Sequence, residues 1–162
     1  MATQVRDHIN QWLHNRKFLE CIAPDYTDWI VTAAFYAALH AVDALLLEDK
    51  VSVTSHDMRN RILSQTNRYK KINSAYYPLY DLSRTIRYIA DQTRWIPFDK
   101  IESDVFRRFL YPIEKSVLTL ADFKLALPKV QLRHSPTAAT ATPQTVAAAP
   151  SSAIPPPPSP AP

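Results

Sequence analysis

The chain has 162 residues, a formal net charge of +4, one cysteine and no glycine. Without glycine it cannot form the phosphate-binding loops of P-loop and Rossmann proteins, which need glycine where the backbone approaches the phosphates. A single cysteine excludes an internal disulfide and a cysteine-rich zinc site. The N-terminus lacks the basic and apolar runs of a secretory signal, so we expect a cytoplasmic protein.

Apolar periodicity predicts helices throughout the ordered part of the chain, and no alternating strand pattern competes with it. The predicted helices span residues 3–21, 27–48, 55–68, 73 or 78 to 94, and 99–123. Asp25 or Thr27 could cap the second helix, Thr54 or Ser55 the third, and Asp99 with Glu102 could form a capping box for the last. Most of the prolines within the domain are expected between helices, and Pro112 should kink or split the last one. We therefore predict an all-α bundle of four to five helices.

The second helix is apolar on both faces, which predicts a position at the centre of the bundle. Residues 29–47 are long enough to span a bilayer, but Thr32, His40 and Asp43 interrupt them. A charged residue near the centre of a membrane helix costs roughly 2.5–3.5 kcal/mol on insertion scales. This favours a buried helix of a soluble protein and no membrane association.

We assign residues 1–130 to the helical domain and residues 131–162 to a C-terminal tail. Residues 136–162 carry no charge and no aromatic side chain, and they end in a proline-rich run. Such a composition cannot bury enough apolar surface to offset the entropy lost on ordering, which predicts a disordered tail. The tail would serve as a spacer or as a ligand for a partner protein.

The positive charge is concentrated in the middle third of the chain. Residues 56–94 contain eight Lys and Arg and three Asp, whereas the rest of the chain has a small negative excess. This distribution is typical of a surface that binds a polyanion, although a solvated helix face can carry similar charge without a ligand.

Two groups of side chains in this region could contact phosphates. His56 and Arg59 are three residues apart and share a helix face, so they either contact phosphate together or serve as a capping and surface pair. Arg84 and Arg87 share a face with Tyr80 and Tyr88. Arginines grip phosphates and aromatic rings stack on bases, but the same arginines could pair with aspartates within the bundle. Arg94 extends this predicted nucleic-acid-binding set.

His40 lies inside the apolar second helix. It is either a hydrogen-bonded core histidine, tied to Tyr36 or Asp43, or a side chain pointing into a cleft lined by the third and fourth helices. The five histidines show no paired i, i+4 spacing with carboxylates, so the sequence predicts no metal site and no cofactor. These histidines are His8, His14, His40, His56 and His134.

Three segments together resemble HEPN domains (higher eukaryotes and prokaryotes nucleotide-binding). The run Tyr36-Ala37-Ala38-Leu39-His40-Ala41 is similar to their "YAAxHA" helix. Ser55-His56 with Arg59 follows at the expected distance, and Ser83 with Arg87-Tyr88 is similar to their late arginine-bearing helix. The resemblance covers roughly residues 5–125. It implies a small helical bundle that forms a homodimer and binds RNA or a nucleotide, in a prokaryotic defence or toxin–antitoxin system with a nucleotidyltransferase-type antitoxin as partner.

The chain departs from the catalytic members of that superfamily. Those members carry an arginine followed, after four to six residues, by a histidine on one late helix, and no histidine follows Arg84, Arg87 or Arg94 closely. The leading hypothesis is therefore an RNA- or nucleotide-binding domain. The first alternative is a metal-independent ribonuclease with a rearranged site that combines His56 or His40 with Arg84 and Arg87. The second is a protein-interaction bundle whose proline-rich tail recruits a partner.

Overall fold

A computed structural model describes residues 4–88, 91 and 95–133. Four separate helices are followed by a continuous C-terminal helix in three parts. The elements are α1 (Val5–Leu19), α2 (Thr27–Glu48), α3 (His56–Gln65), a 3₁₀ turn (Asn67–Tyr69), α4 (Lys70–Tyr88), α5 (Phe98–Ile101), a π-helical stretch (Glu102–Leu110) and α6 (Tyr111–Ala121). No strand occurs within the described residues, so the predicted all-α bundle is confirmed. Of the predicted tail, which begins at residue 131, the structure describes residues 131–133, and residues 134–162 lie outside the described residues.

Helix α2 forms the centre of the bundle. It packs against α1, α4, α6 and the π-helical stretch, and sixteen of its 22 residues are buried. Among the described residues, α2 is the one helix long and apolar enough to cross a membrane, and 83% of its most apolar window is buried inside the protein. Most of the apolar surface of α2 is thus covered by the neighbouring helices.

The predicted helix caps are right in one case and wrong in two. The Ser55 hydroxyl accepts a hydrogen bond from the amide of Met58 at 3.2 Å and caps α3. Helix α2 instead begins after Tyr26, whose carbonyl accepts the first helical bond from Ile30. The last helix begins after Pro97, because the amide of Lys100 bonds to the Pro97 carbonyl and draws the residues between them into the first turn.

The prolines differ in their effect on the helices. The prediction that α4 begins at residue 73 or 78 was wrong, because α4 starts at Lys70 and contains Pro78. Pro78 is exposed, so the carbonyl that loses its helical partner can turn toward water. Pro112 lies at the start of α6, directly after the π-helical stretch. Proline lacks an amide N–H and crowds the carbonyl four residues earlier, so a change of helical pitch is expected just before it.

A buried polar network ties the two ends of the domain together. The Arg16 guanidinium of α1 bonds to the Glu114 carboxylate of α6 and to the Pro128 carbonyl. The Trp12 indole donates to the same carboxylate at 2.8 Å. These bonds hold the non-helical segment after α6 against α1, and the amide of Gln131 adds a bond to Glu20 at 3.2 Å.

Candidate functional site

A buried ion pair between α2 and α3 lies at the centre of the candidate site. The Arg59 guanidinium donates to both oxygens of the Asp43 carboxylate, from Nε at 2.6 Å and from Nη2 at 2.8 Å. Arg59 is 6% exposed and Asp43 is 8% exposed. Burial works against the charged form of Arg59, but the hydrogen bonds and charge of Asp43 outweigh it and raise the pKa of the guanidinium. Arg59 therefore braces α3 against α2 and does not face solvent.

His56 lies beside this pair, at the first position of α3, and is exposed to solvent. Its Nδ1 is 3.3 Å from Nη1 of Arg59. Its ring packs on Tyr80 of α4, with ring centroids 5.4 Å apart, and on Phe35 of α2 at 5.9 Å. Partial burial, followed by the positive charges of Arg59 and Arg87, lowers the pKa of His56. The imidazole is therefore predominantly neutral at pH 7. Because a guanidinium only donates, Nδ1 of His56 accepts from Arg59 and Nε2 carries the proton.

The exposed side of α4 continues this surface. Arg84 is exposed and forms a 3.6 Å ion pair with Asp81, which is also exposed. Arg87 donates from Nε to the Ser83 carbonyl at 3.0 Å, and its guanidinium carbon lies 6.0 Å from the centroid of the Tyr88 ring. Tyr88 is 81% exposed.

We name this surface the α3–α4 face and define it by His56, Tyr80, Arg84, Arg87 and Tyr88. It brings together five of the seven residues predicted to bind nucleic acid. Arg59 is turned inward to Asp43, and Arg94 lies outside the described residues. The face combines a ring platform, made by His56 and Tyr80, with two exposed guanidinium groups on the same helix as Tyr80.

His40 does not join the α3–α4 face. Its Nδ1 lies 3.1 Å from Nδ1 of His8 on α1, and it is half-buried between α1 and α2. Burial, then the proximity of His8, lowers the pKa of His40. Of the two interpretations from the sequence, the hydrogen-bonded core histidine fits this position, but the partner is His8 and not Tyr36 or Asp43.

No family model, curated protein sequence or solved structure matches this chain. The functional interpretation therefore depends on the residues of the site and their geometry.

No role was assigned from the sequence to two residues that the structure places beside these groups, His8 and Tyr76. His8 was not singled out, because it lies 32 residues from His40 and only the packing of α1 on α2 brings the two rings together. Tyr76 lies one helical turn before Tyr80 and packs on Phe35 with ring centroids 5.8 Å apart. Burial raises the pKa of its hydroxyl. The i, i+4 spacing of Tyr76 and Tyr80 was the available sign that both rings meet one neighbouring helix.

Proposed function

We propose that this protein is a HEPN-like domain that binds RNA or a nucleotide through the α3–α4 face. The observation that carries the proposal is the surface platform of His56 and Tyr80 beside the exposed cations of α4. Neutral aromatic rings stack on bases whatever the sequence, and each stacked base contributes about 1–3 kcal/mol. Guanidinium groups bind phosphate through two parallel hydrogen bonds.

The phosphate contacts in this proposal come from Arg84 and Arg87. Arg59 is left out because its guanidinium is already bound to Asp43 inside the protein. Arg84 has an acidic neighbour in Asp81, but both side chains are more than half exposed. Exposed ion pairs of this kind contribute only about 0–1 kcal/mol, so a phosphate can replace Asp81 at little cost.

The biological setting in this proposal comes from the HEPN resemblance. The helix with the Tyr36–Ala41 run is the central helix of the bundle, and this position supports the resemblance. Under the same proposal the protein is cytoplasmic, forms a homodimer and acts in a defence or toxin–antitoxin system with a nucleotidyltransferase-type partner.

The proposal is tested by gel shift with labelled single-stranded and structured RNA in the presence of a metal chelator. We expect the wild-type protein to shift RNA and an Arg84→Ala/Arg87→Ala variant to lose the shift. The matched control is Lys70→Ala/Lys71→Ala, which removes the same charge from exposed positions at the start of α4. Equal loss of binding in both variants would show that general charge, and not the α3–α4 face, attracts RNA. No shift by the wild type would refute the proposal for these RNAs.

A second candidate function, metal-independent ribonuclease, is favoured by the environment of His56. Burial and nearby positive charges, among them that of Arg87, lower the pKa of His56. A neutral imidazole therefore lies close to a cation that this proposal assigns to phosphate binding. In this mechanism the 2′-hydroxyl replaces Arg59 at Nδ1 of His56, and the neutral imidazole takes its proton while a cation stabilises the phosphate. We would then expect the same gel to show cleavage that a His56→Ala variant loses. Cleavage that persists in this variant would exclude His56 as the base.

A further inference from the structure

A second polar cluster lies where α2 packs against α1. It consists of His8 from α1 with His40 and Asp43 from α2. Each of the three side chains offers one ligand atom, and these atoms all lie within 4.8 Å of one another. The two imidazole Nδ1 atoms are the closest pair, at 3.1 Å.

The separation of the two nitrogens matches an edge of a metal coordination sphere. Zinc–imidazole bonds are about 2.0–2.1 Å long, so two nitrogens on a tetrahedral zinc ion lie about 3.3 Å apart. Two imidazoles and one carboxylate form a donor set that divalent transition metals accept, and one or more coordination positions stay open for water. A hydrogen bond between two neutral imidazoles would have a similar length, and the experiment below distinguishes the two arrangements.

The cluster is open to solvent through a pocket. A cavity of about 380 Å³ is lined by His8, Asp43 and the loop of residues 51–54 that follows α2. An ion that enters this cavity can therefore reach His8 and Asp43 without unfolding of the bundle. The hydroxyls of Ser52 and Thr54 line the same cavity and can hydrogen-bond water bound to the ion.

The carboxylate of the cluster is already oriented by the protein. Arg59 holds Asp43 through two hydrogen bonds, at 2.6 and 2.8 Å. An ionised carboxylate has about four lone-pair sites, so each oxygen retains capacity for a metal ion. Outer partners of this kind fix the direction of a ligand before the metal binds.

We propose that His8, His40 and Asp43 form a binding site for one divalent transition-metal ion, with Zn²⁺ as the first candidate. The site lies apart from the α3–α4 face, and the Asp43–Arg59 pair links the two because Arg59 also contacts His56. The proposal does not depend on RNA binding, which is tested in the presence of a chelator.

The test uses the full-length protein, freed of metal with a chelator and then desalted. ZnCl₂ is titrated by calorimetry, and CoCl₂ is titrated while the visible absorption of the bound ion is recorded. We expect one equivalent of each metal to bind and the cobalt spectrum to show nitrogen coordination. Loss of an outer-shell partner weakens metal sites by about 10–100-fold, so loss of the ligand in His8→Ala should weaken binding at least that much.

The matched control is His14→Ala, which removes an exposed histidine from the same helix. It should bind metal like the wild type, and circular dichroism should show unchanged helicity for both variants. His40→Gln removes a second ligand but keeps a polar group at that half-buried position, and it should also weaken metal binding. Absence of saturable binding, unchanged binding in His8→Ala, or equal weakening by His14→Ala would each overturn the proposal and leave a His8–His40 hydrogen bond in its place.

Discussion

At the scale of single residues, the buried Asp43–Arg59 pair connects both proposed sites. Arg59 touches His56 on one side, and Asp43 belongs to the cluster with His8 and His40 on the other. Taking two charges out of water is costly, and good hydrogen-bond geometry offsets that cost only while both partners are present. Both oxygens of Asp43 are bonded to Arg59, so the loss of either side chain leaves an uncompensated charge in the interior.

Arg59→Leu should therefore lower the free energy of unfolding by about 3–5 kcal/mol, because Asp43 stays buried without its partner. The double variant Asp43→Leu/Arg59→Leu should recover much of that loss, since neither charge remains. Urea denaturation monitored by circular dichroism measures both values. Arg84→Leu is the control, because its exposed pair with Asp81 should contribute only about 0–1 kcal/mol. A double variant less stable than Arg59→Leu would contradict this account of the pair.

The pH dependence of stability should report on His56. The fold lowers its pKa below the value of 6.5 expected for an unfolded chain, so the unfolded state takes up a proton first as the pH falls. The contribution of neutral His56 is thus complete above pH 6.5 and is lost as the pH falls through the lower folded pKa. We expect His56→Gln to reduce the loss of unfolding free energy between pH 7.5 and pH 5, measured by urea denaturation in a chelator. His14→Gln should keep the wild-type pH dependence, and an equal reduction in both variants would contradict the assignment.

At the scale of helices and turns, α2 ends in a left-handed turn that is formed without glycine. The amide of Lys50 bonds to the Leu47 carbonyl at 3.0 Å, and the amide of Val51 bonds to Leu46 at 2.8 Å. This is the pattern of a Schellman motif, which is usually completed by glycine in the left-handed region. Here Lys50 takes that conformation, with φ of 64°. The turn directs residues 51–54 across the cavity beside His8 and Asp43.

Lys50→Gly should consequently stabilise the protein. A residue with a Cβ atom in the left-handed region costs roughly 1–2 kcal/mol, while glycine loses about 0.5–1 kcal/mol more through the flexibility of the unfolded chain. The expected net gain is about 0.5–1 kcal/mol, again by urea denaturation. Lys71→Gly is the control, because glycine inside an exposed helix should cost about 1 kcal/mol. A loss of stability in Lys50→Gly would show that the Lys50 conformation carries no strain.

At the scale of the whole molecule, two buried arginine–carboxylate pairs brace the bundle, and other arginines are exposed to solvent. Arg16 with Glu114 joins α1 to α6, and Arg59 with Asp43 joins α3 to α2. Arg84 and Arg87 are exposed on α4. The positively charged residues of 56–94 thus include the buried Arg59, which has a structural role, and the solvent-exposed Arg84 and Arg87. When exposed arginines neutralise phosphates of RNA, counterions are released from the RNA.

The salt dependence of RNA binding should report how many phosphates the exposed arginines contact. The logarithm of the affinity for single-stranded RNA should fall with the logarithm of the salt concentration, by about 0.7 in slope for each neutralised phosphate. Removing Arg84 and Arg87 together should reduce the magnitude of the slope by about 1.4 if each contacts one phosphate. Fluorescence anisotropy between low and physiological salt gives both slopes. An unchanged slope in the double variant would mean that these arginines do not contact phosphate.

Local sequence was enough to predict much of the helical framework and the α3–α4 face. The helical periodicity of α4 places Tyr80, Arg84, Arg87 and Tyr88 on one side, because residues three, four and seven apart share a helix face. The Ser55 cap was predictable for the same reason, since a cap forms within one turn. The starts of the helices were less predictable. Tyr26 and Pro97 occupy the N-cap positions of α2 and α5, and neither side chain forms a capping hydrogen bond.

The sequence by itself thus determined the helical class, the central place of α2 and the residues that α4 presents to solvent, all of which follow from short-range periodicity. Only the tertiary structure decided that Arg59 faces Asp43, 16 residues away, and that His8 meets His40, 32 residues away. Such pairings depend on how helices cross and which side chains the crossing desolvates. A charge buried at a helix crossing is stable only when it is paired. The position of its partner along the chain follows no sequence periodicity, so the sequence does not predict it.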